Sequence, residues 1–133
     1  ILREIGEPRL RGMLRLAGYI PNSDLPAIYN RASAFLYTSL RESFGIPQLE
    51  AMACGTPVVT SATSAIPEVA GEGAIREYEQ VRRNLNDALL RLETDAAFRA
   101  RQVAYGLERV KRFSWEKTAR HLLALYESLG KTN

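Results

Sequence analysis

The sequence predicts an α/β fold: a parallel sheet flanked by helices, with a helical C-terminal part. Short apolar runs alternate with helical patterns over the first half of the chain, and apolar residues at helical spacing dominate the last third. Such alternation favours a parallel sheet, because parallel strands are joined by crossover helices. A length of 133 residues fits one compact unit and is too short for a two-domain enzyme with a cleft between its domains.

The first elements precede the central unit. Residues 1–13 have a helical pattern, and a first residue of Ile rather than Met predicts that upstream sequence is missing. Residues 14–17 are predicted to form a short strand. Asn22, Ser23 and Asp24 supply helix-capping side chains for a helix that runs to about Arg31.

A strand, a helix and a second strand are predicted between residues 34 and 60. Residues 34–37 are an apolar run too short for a helix, and residues 57–60 form another. Between them, Pro47 fits the first turn of a helix and Gly55 fits its end. This unit has about the minimum size of a right-handed parallel crossover.

The later elements are mainly helical. A short helical turn is expected beyond Ile66-Pro67-Glu68, followed by Gly71 and Gly73, and Ala74 with Ile75 is the candidate for a last edge strand. Two helices then carry apolar stripes at spacings of three and four residues, which we expect to pack in the core. The first stripe is Ala96, Ala100, Val103, Leu107 and Val110; the second, capped by Ser114 and stopped at Gly130, is Trp115, Ala119, Leu122, Tyr126 and Leu129.

The composition excludes several classes of protein. The apolar share is 46% and the charged share 25%, as in an ordinary globular domain. The net charge of +3 comes from arginines mixed with acidic residues, which predicts a solvated helix face and no nucleic-acid partner. The lone Cys54 allows no internal disulfide and favours a reducing cytoplasm.

Other chemistries lack their residue patterns. His121, the only histidine, has neither a metal cluster nor a triad partner in the sequence, so a surface position and no zinc site are predicted. No Gly-x-Ser-x-Gly elbow surrounds Ser61 or Ser64, which argues against a hydrolase. A dinucleotide-binding enzyme is disfavoured because no Gly-x-Gly-x-x-Gly follows a strand.

The segment that carries chemistry follows the strand at residues 34–37. Its loop leads into a helix N-terminus, where free N–H groups favour a diphosphate, and Gly45 allows close backbone approach. Glu50, about one turn inside the helix, can reach back to accept hydrogen bonds from ribose hydroxyls, and Glu42 faces the sugar side of the same crevice. The alternative is a surface Glu42 and a Glu50 that only complements the helix dipole.

A family resemblance covers nearly the whole chain from Gly18 onward. The residues that carry it are Gly18-Tyr19-Ile20 to Tyr29, Ala34 to Ser39, and above all Glu42-Ser43-Phe44-Gly45-Ile46-Pro47 with Glu50-Ala51-Met52-Ala53-Cys54-Gly55-Thr56-Pro57-Val58-Val59. This block resembles the C-terminal domain of family-4 glycosyltransferases, whose signature is two glutamates separated by seven residues.

The resemblance implies a partial GT-B C-terminal domain with a Rossmann-like sheet over residues 1–133, in which residues 113–133 form a crossover helix. It also implies a retaining transferase that takes a nucleotide-diphospho-sugar and needs no metal or other cofactor. By this resemblance, Glu50 binds the ribose, the backbone of Ile46 binds the diphosphate, and Tyr19 lies near the base. Glu42, the catalytic candidate, contacts the donor sugar, together with the backbone of Ser43, Phe44 and Gly45.

Departures from the family limit this expectation. The N-terminal acceptor domain is missing, together with the part of the donor domain that supplies an Arg and a Lys for the diphosphate. Residues 75–80 replace the usual apolar stretch and Asp-Pro turn, which puts the last strand in doubt. The chain is therefore expected to be inactive alone. A catalytically inert fragment, or an association module that pairs with itself through its last helix, stays open as the alternative.

Overall fold

The computed structural model describes Pro8 and residues 12–71, 74–77 and 81–130, without the side chains of residues 75–77 and 81–84. Its described residues include a parallel sheet of β1 (Phe35–Tyr37), β2 (Val58–Ser61) and β3 (Ile75–Glu77), in the order β1-β2-β3. The central strand pairs Val58 with Phe35 on one side and Val59 with Ile75 on the other. The predicted last strand is thus confirmed, and it forms within the unusual sequence that begins at residue 75.

Helices surround this sheet. Their bounds are α1 (Leu25–Arg31), α2 (Ile46–Ala53), α3 (Ile66–Ala70), α4 (Val81–Thr94), α5 (Ala96–Val110) and α6 (Trp115–Gly130). The crossover from β1 through α2 to β2 is as predicted, with Pro47 in the first turn of α2 and Gly55 after its end at a φ of 75°. The break between α4 and α5 is fixed by Asp95, whose side chain accepts a hydrogen bond from Phe98 N at 2.8 Å.

The core has two parts because successive side chains of β2 point to opposite faces. Val58 packs in one cluster with Tyr29, Ala51, Met52 and residues around them, on the side of α1, α2 and α5. Val59 packs with Ala88 and Leu92 of α4 on the other side. The central strand is therefore buried between two layers of helices, as the prediction of a Rossmann-like α/β sheet requires.

The contact between α2 and α5 depends on a glycine. Gly106 is buried, and a Cβ added there would lie 3.1 Å from Met52 Cγ and 3.2 Å from Met52 Cβ. The predicted stripe of α5 is therefore only partly right: Val103 and Val110 are half-buried, but Ala96, Ala100 and Leu107 are exposed. A search for apolar periodicity missed this face because its most buried residue has no side chain.

Other local predictions need correction. Residues 14–17 are not a strand: Leu14 is 48% and Leu16 is 70% exposed, and no backbone ladder includes them among the described residues. The α1 helix forms, but Asp24 makes no side-chain capping bond. Within the expected helix of residues 1–13 only Pro8, Gly12 and Met13 are described, and the last two lie in a turn.

The C-terminal helix differs most from the expectation of a packed core. Ser114 does cap it, since its Oγ accepts a hydrogen bond from Lys117 N at 3.1 Å, and the helix ends at Gly130 as predicted. No residue of α6 is buried, however. Trp115 is 81% and Tyr126 is 67% exposed, so the stripe packs on none of the described parts of this chain.

Candidate functional site

The candidate site lies at the carboxyl end of β1, where residues 38–45 lead into α2. Gly45 occupies the position before the helix with a φ of 90° and a ψ of 54°, a left-handed conformation that side chains disfavour. A Cβ at Gly45 would lie 2.7 Å from Gln48 Nε2 and 3.1 Å from Tyr37 Cε1. Glycine is therefore required here both for the backbone turn and for the close approach of Tyr37.

This loop presents unused backbone donors. Among the described residues, no acceptor is found for the N–H groups of Ser43, Phe44, Gly45 and Ile46, and Pro47 has no N–H. The N-terminal end of α2 adds the positive end of its dipole, and neither an acidic side chain nor a side-chain cap occupies its first turn. The arrangement is chemically suited to an anion.

Hydroxyl groups at the end of the neighbouring strand β2, and of Ser64 after it, bind the end of β1 and the loop. Thr60 Oγ1 donates to Tyr37 O at 3.0 Å, Ser61 Oγ donates to Ser39 O, and Ser64 Oγ donates to Glu42 O at 2.7 Å. Ser64 has a φ of 55°, in the left-handed region, and is the one such non-glycine residue in the described part of the chain. The backbone from the end of β1 through the loop is thus bound, at three carbonyl groups, to the end of β2 and to Ser64 after it.

Glu50 is exposed and lies past the first turn of α2. Its Oε2 accepts a hydrogen bond from Tyr29 Oη on α1 at 3.1 Å. Tyr29 is only 8% exposed, and burial, followed by the hydrogen bond to Glu50 and its charge, raises the pKa of Tyr29 to about 12. Glu50 thus lies beyond the first turn of α2, and its carboxylate is bound by Tyr29 of α1.

Glu42 has a corresponding tyrosine. Burial, and then the hydrogen bond to Glu42 and its negative charge, raise the pKa of Tyr37 to about 12. The rings of Tyr29 and Phe35 meet edge to face at 5.3 Å, and those of Phe35 and Tyr37 stack at 5.9 Å. A continuous row of aromatic rings therefore connects the tyrosine that binds Glu50 with the tyrosine that binds Glu42.

The structure brings most of the predicted site residues together. Glu42, Ser43, Gly45 and Ile46 lie on the loop or at the start of α2, and Glu50 lies one turn further on. Phe44 packs edge to face on Phe113 with ring centroids 5.7 Å apart. Tyr19 stands apart: it is 89% exposed, and no hydrogen bond or ring contact among the described residues connects it with the loop.

Sequence reasoning assigned no role to several residues of this site. Tyr29 and Tyr37 lie within the quoted family block, but only the fold places their hydroxyl groups at the two glutamates. Ser64 was considered only as a nucleophile. Gln48 is fully buried, donates through Nε2 to Phe44 O at 3.4 Å and leaves its Oε1 without a partner among the described residues. A polar residue in the first turn of a helix that follows a glycine is the signal that the sequence offered for it.

The described residues offer no other obvious centre of chemistry. No group of three or more His, Cys, Asp or Glu residues that could hold a metal ion occurs among them. None of the helices they form has the length and apolar character needed to cross a membrane.

Comparison with solved structures defines the class of protein. Sucrose-phosphate synthase from Thermosynechococcus elongatus matches 99% of this chain with a TM-score of 0.87 and 30% sequence identity. The match covers 34% of that chain. The predicted GT-B-type fold, with its small parallel sheet, flanking helices and helical C-terminus, is thereby confirmed, and the class is that of glycosyltransferases.

The family follows from the sequence. The model of the family "Glycosyl transferases group 1" matches residues 3–109, and the chain belongs to this family of transferases. O-antigen chain mannosyltransferase B of Escherichia coli is 37% identical over 118 residues, which cover 89% of this chain and 31% of that protein. D-inositol 3-phosphate glycosyltransferase of Corynebacterium urealyticum is 36% identical over 111 residues, 82% of this chain and 26% of that protein. The chain thus spans less than a third of the length of these relatives.

Proposed function

We propose that this chain is the donor-binding part of a retaining glycosyltransferase, which transfers a hexosyl group from a nucleotide-diphospho-sugar to an acceptor. The observation that carries the proposal is the run of unused N–H groups at residues 43–46, at the start of α2 and between two carboxylates. N–H groups and a helix dipole stabilise a diphosphate, and carboxylates accept hydrogen bonds from sugar hydroxyls. Similarity to a mannosyltransferase and to a D-inositol 3-phosphate glycosyltransferase supports a hexosyl donor.

In this proposal each part of the site meets one part of the donor. The backbone of Ile46 binds the diphosphate, Glu50 binds the ribose, and Tyr19 lies near the base. Glu42 and the backbone of Ser43, Phe44 and Gly45 contact the sugar. Transfer depends on positioning and on stabilisation of the leaving diphosphate by backbone dipoles, so neither a metal nor another cofactor is required.

Two further expectations belong to the same proposal. The acceptor site of a GT-B enzyme lies in a second domain that faces the donor domain, so we expect no sugar transfer by these 133 residues alone. The single cysteine of the sequence favours a cytoplasmic protein.

Titration with UDP, GDP and ADP, followed by amide NMR shifts into the millimolar range, tests the donor site. We expect one of these nucleotides to bind, and Glu50→Ala to weaken it about 10- to 100-fold, the typical effect of losing a hydrogen bond to a charged group. Glu127→Ala, which removes an exposed carboxylate on α6, is the matched control. Failure of all three nucleotides to bind, or unchanged binding by Glu50→Ala, would exclude the proposal.

A second candidate function is association. The exposed apolar stripe of α6 favours it, because an amphipathic helix with no buried residue leaves its apolar face in water. In that case the chain is an inert module that pairs with a second copy through α6.

A further inference from the structure

Each glutamate of the proposed donor site has a tyrosine beside it. Tyr29 belongs to α1 and donates to Glu50 on α2 at 3.1 Å, and Tyr37 belongs to β1 and lies beside Glu42 of the loop, whose carboxylate contributes to its raised pKa. The two pairs lie on different elements, yet each consists of a buried or half-buried phenol and one carboxylate. A repeated arrangement of this kind needs an explanation beyond packing.

The two tyrosines are held firmly. Tyr29 O accepts a hydrogen bond from Thr56 Oγ1 at 2.6 Å, and Tyr37 O accepts one from Thr60 Oγ1 at 3.0 Å. Thr56 and Thr60 are themselves buried. The ring of Phe35, in contact with both tyrosine rings, fixes the distance between them. The threonines therefore fix the backbone at both tyrosines and the Phe35 ring packs against both phenol rings, whereas a surface glutamate by itself samples several rotamers.

Each glutamate carboxylate keeps hydrogen-bond acceptor sites that its tyrosine does not occupy. An ionised carboxylate has two oxygens with about four acceptor sites, and Tyr29 occupies one site on Glu50 Oε2. The remaining sites are available to ligand hydroxyls. Because the pKa of each phenol is raised to about 12, both tyrosines stay protonated at neutral pH and act as donors. Packing alone would be satisfied equally well by phenylalanine rings.

We propose that the hydroxyl groups of Tyr29 and Tyr37 are positioning groups, which orient the carboxylates of Glu50 and Glu42 for the hydroxyl groups of a bound nucleotide sugar. This inference rests on the proposed donor site and deepens it. Tyr29 acts on the ribose through Glu50, and Tyr37 acts on the transferred sugar through Glu42. Neither tyrosine needs to touch the donor.

The two positions therefore respond differently to the two halves of a donor. Tyr29→Phe is expected to weaken binding of both the free nucleotide and its sugar conjugate by about tenfold, since it loosens the carboxylate that meets the ribose. Tyr37→Phe is expected to weaken binding of the sugar conjugate by a similar factor and to leave binding of the free nucleotide unchanged. The probes are UDP with UDP-glucose, GDP with GDP-mannose and ADP with ADP-glucose.

Tyr105→Phe is the matched control, because Tyr105 Oη donates to the backbone oxygen of Ala70 at 3.0 Å and contacts neither glutamate. A double variant separates positioning from a general structural effect. Added to Glu50→Ala, Tyr29→Phe should change the affinity less than about twofold, because its effect passes through Glu50. If Tyr29→Phe acted only by disturbing the structure, it would weaken nucleotide binding by the same factor in the unmodified chain and in the Glu50→Ala variant.

The outcomes distinguish this inference from the proposed function. Should no nucleotide bind the unmodified chain, the donor site and the inference with it are lost. Should nucleotides bind and Glu50→Ala weaken them, while Tyr29→Phe and Tyr37→Phe behave like Tyr105→Phe, the donor site stands and the positioning role alone is wrong.

Discussion

At the scale of single residues, the site is defined by hydrogen-bond partners that sequence spacing does not reveal. The distance of eight positions between Glu42 and Glu50 was visible in the sequence, and so were the glycine and proline of the loop. Tyr29 lies 21 positions before Glu50, and only the packing of α1 on α2 brings their polar atoms within 3.1 Å. The left-handed Ser64 is similar, since no composition or periodicity marks a serine that must adopt a φ of 55°.

The raised pKa values of these tyrosines predict a loss of stability in alkali. A phenol titrates near pH 10 when unfolded, whereas Tyr29 and Tyr37 keep their protons to about pH 12 in the folded protein. Above pH 10 the folded state therefore binds more protons than the unfolded state, and the free energy of unfolding falls as pH rises through 10 to 12. Below pH 10 the two protonated phenols make their full contribution to the free energy of unfolding.

Urea unfolding at a series of pH values between about 9 and about 11.5 measures this effect. The variant with both Tyr29→Phe and Tyr37→Phe should lose stability less steeply with pH than the unmodified chain. Equal slopes would mean that the two phenols are not protected from ionisation in the folded state. The Tyr105→Phe variant controls for the removal of a phenol that faces a backbone oxygen.

At the scale of elements, the sequence predicted the crossover well because its signals are local. Apolar runs, Pro47 and Gly55 mark the ends of β1, α2 and β2, and all three elements form where expected. Prediction failed where burial depends on distant neighbours. Residues 14–17 have the composition of a strand but no ladder in the described residues, and the buried face of α5 is centred on Gly106, which an apolar pattern cannot show.

The start of α2 gives the sharpest test of an element. Gly45→Ala introduces a Cβ in a left-handed residue and within 3.1 Å of both Gln48 Nε2 and Tyr37 Cε1. We expect it to lower the free energy of unfolding by about 2–4 kcal/mol and to weaken nucleotide binding, because the loop donors move with Gly45.

Gly18→Ala separates backbone strain from steric conflict. Gly18 also has a positive φ, 64°, but a Cβ there meets no atom within 4 Å. Gly18→Ala should therefore lower the free energy of unfolding by only about 1 kcal/mol, which is the conformational strain of the left-handed residue. Urea unfolding of both variants measures the difference, and equal costs would contradict the close packing of Tyr37 and Gln48 against Gly45.

At the scale of the whole molecule, the C-terminal helix is the part whose apolar face the described residues do not bury. Helical spacing correctly predicted an amphipathic helix, but spacing does not say what covers the apolar face. In α6 the apolar side chains are all exposed, among them Leu122 at 47% and Leu129 at 62%. Isolated helices of this length are marginal in water, so a partner surface would add much to its stability.

We therefore expect the chain to self-associate through α6, with a mass measured by light scattering that rises with protein concentration. Leu122→Asp places a charge within the apolar stripe and should shift the chain toward the monomer, because burial of an unpaired carboxylate at an interface is unfavourable. Ala124→Asp places the same charge two positions further along α6, on the opposite face, and should leave association unchanged. A strictly monomeric unmodified chain, or equal effects of the two aspartates, would show that the stripe does not mediate contact between copies. Nucleotide titrations of Leu122→Asp should match those of the unmodified chain, since Leu122 lies on α6, outside the proposed donor site.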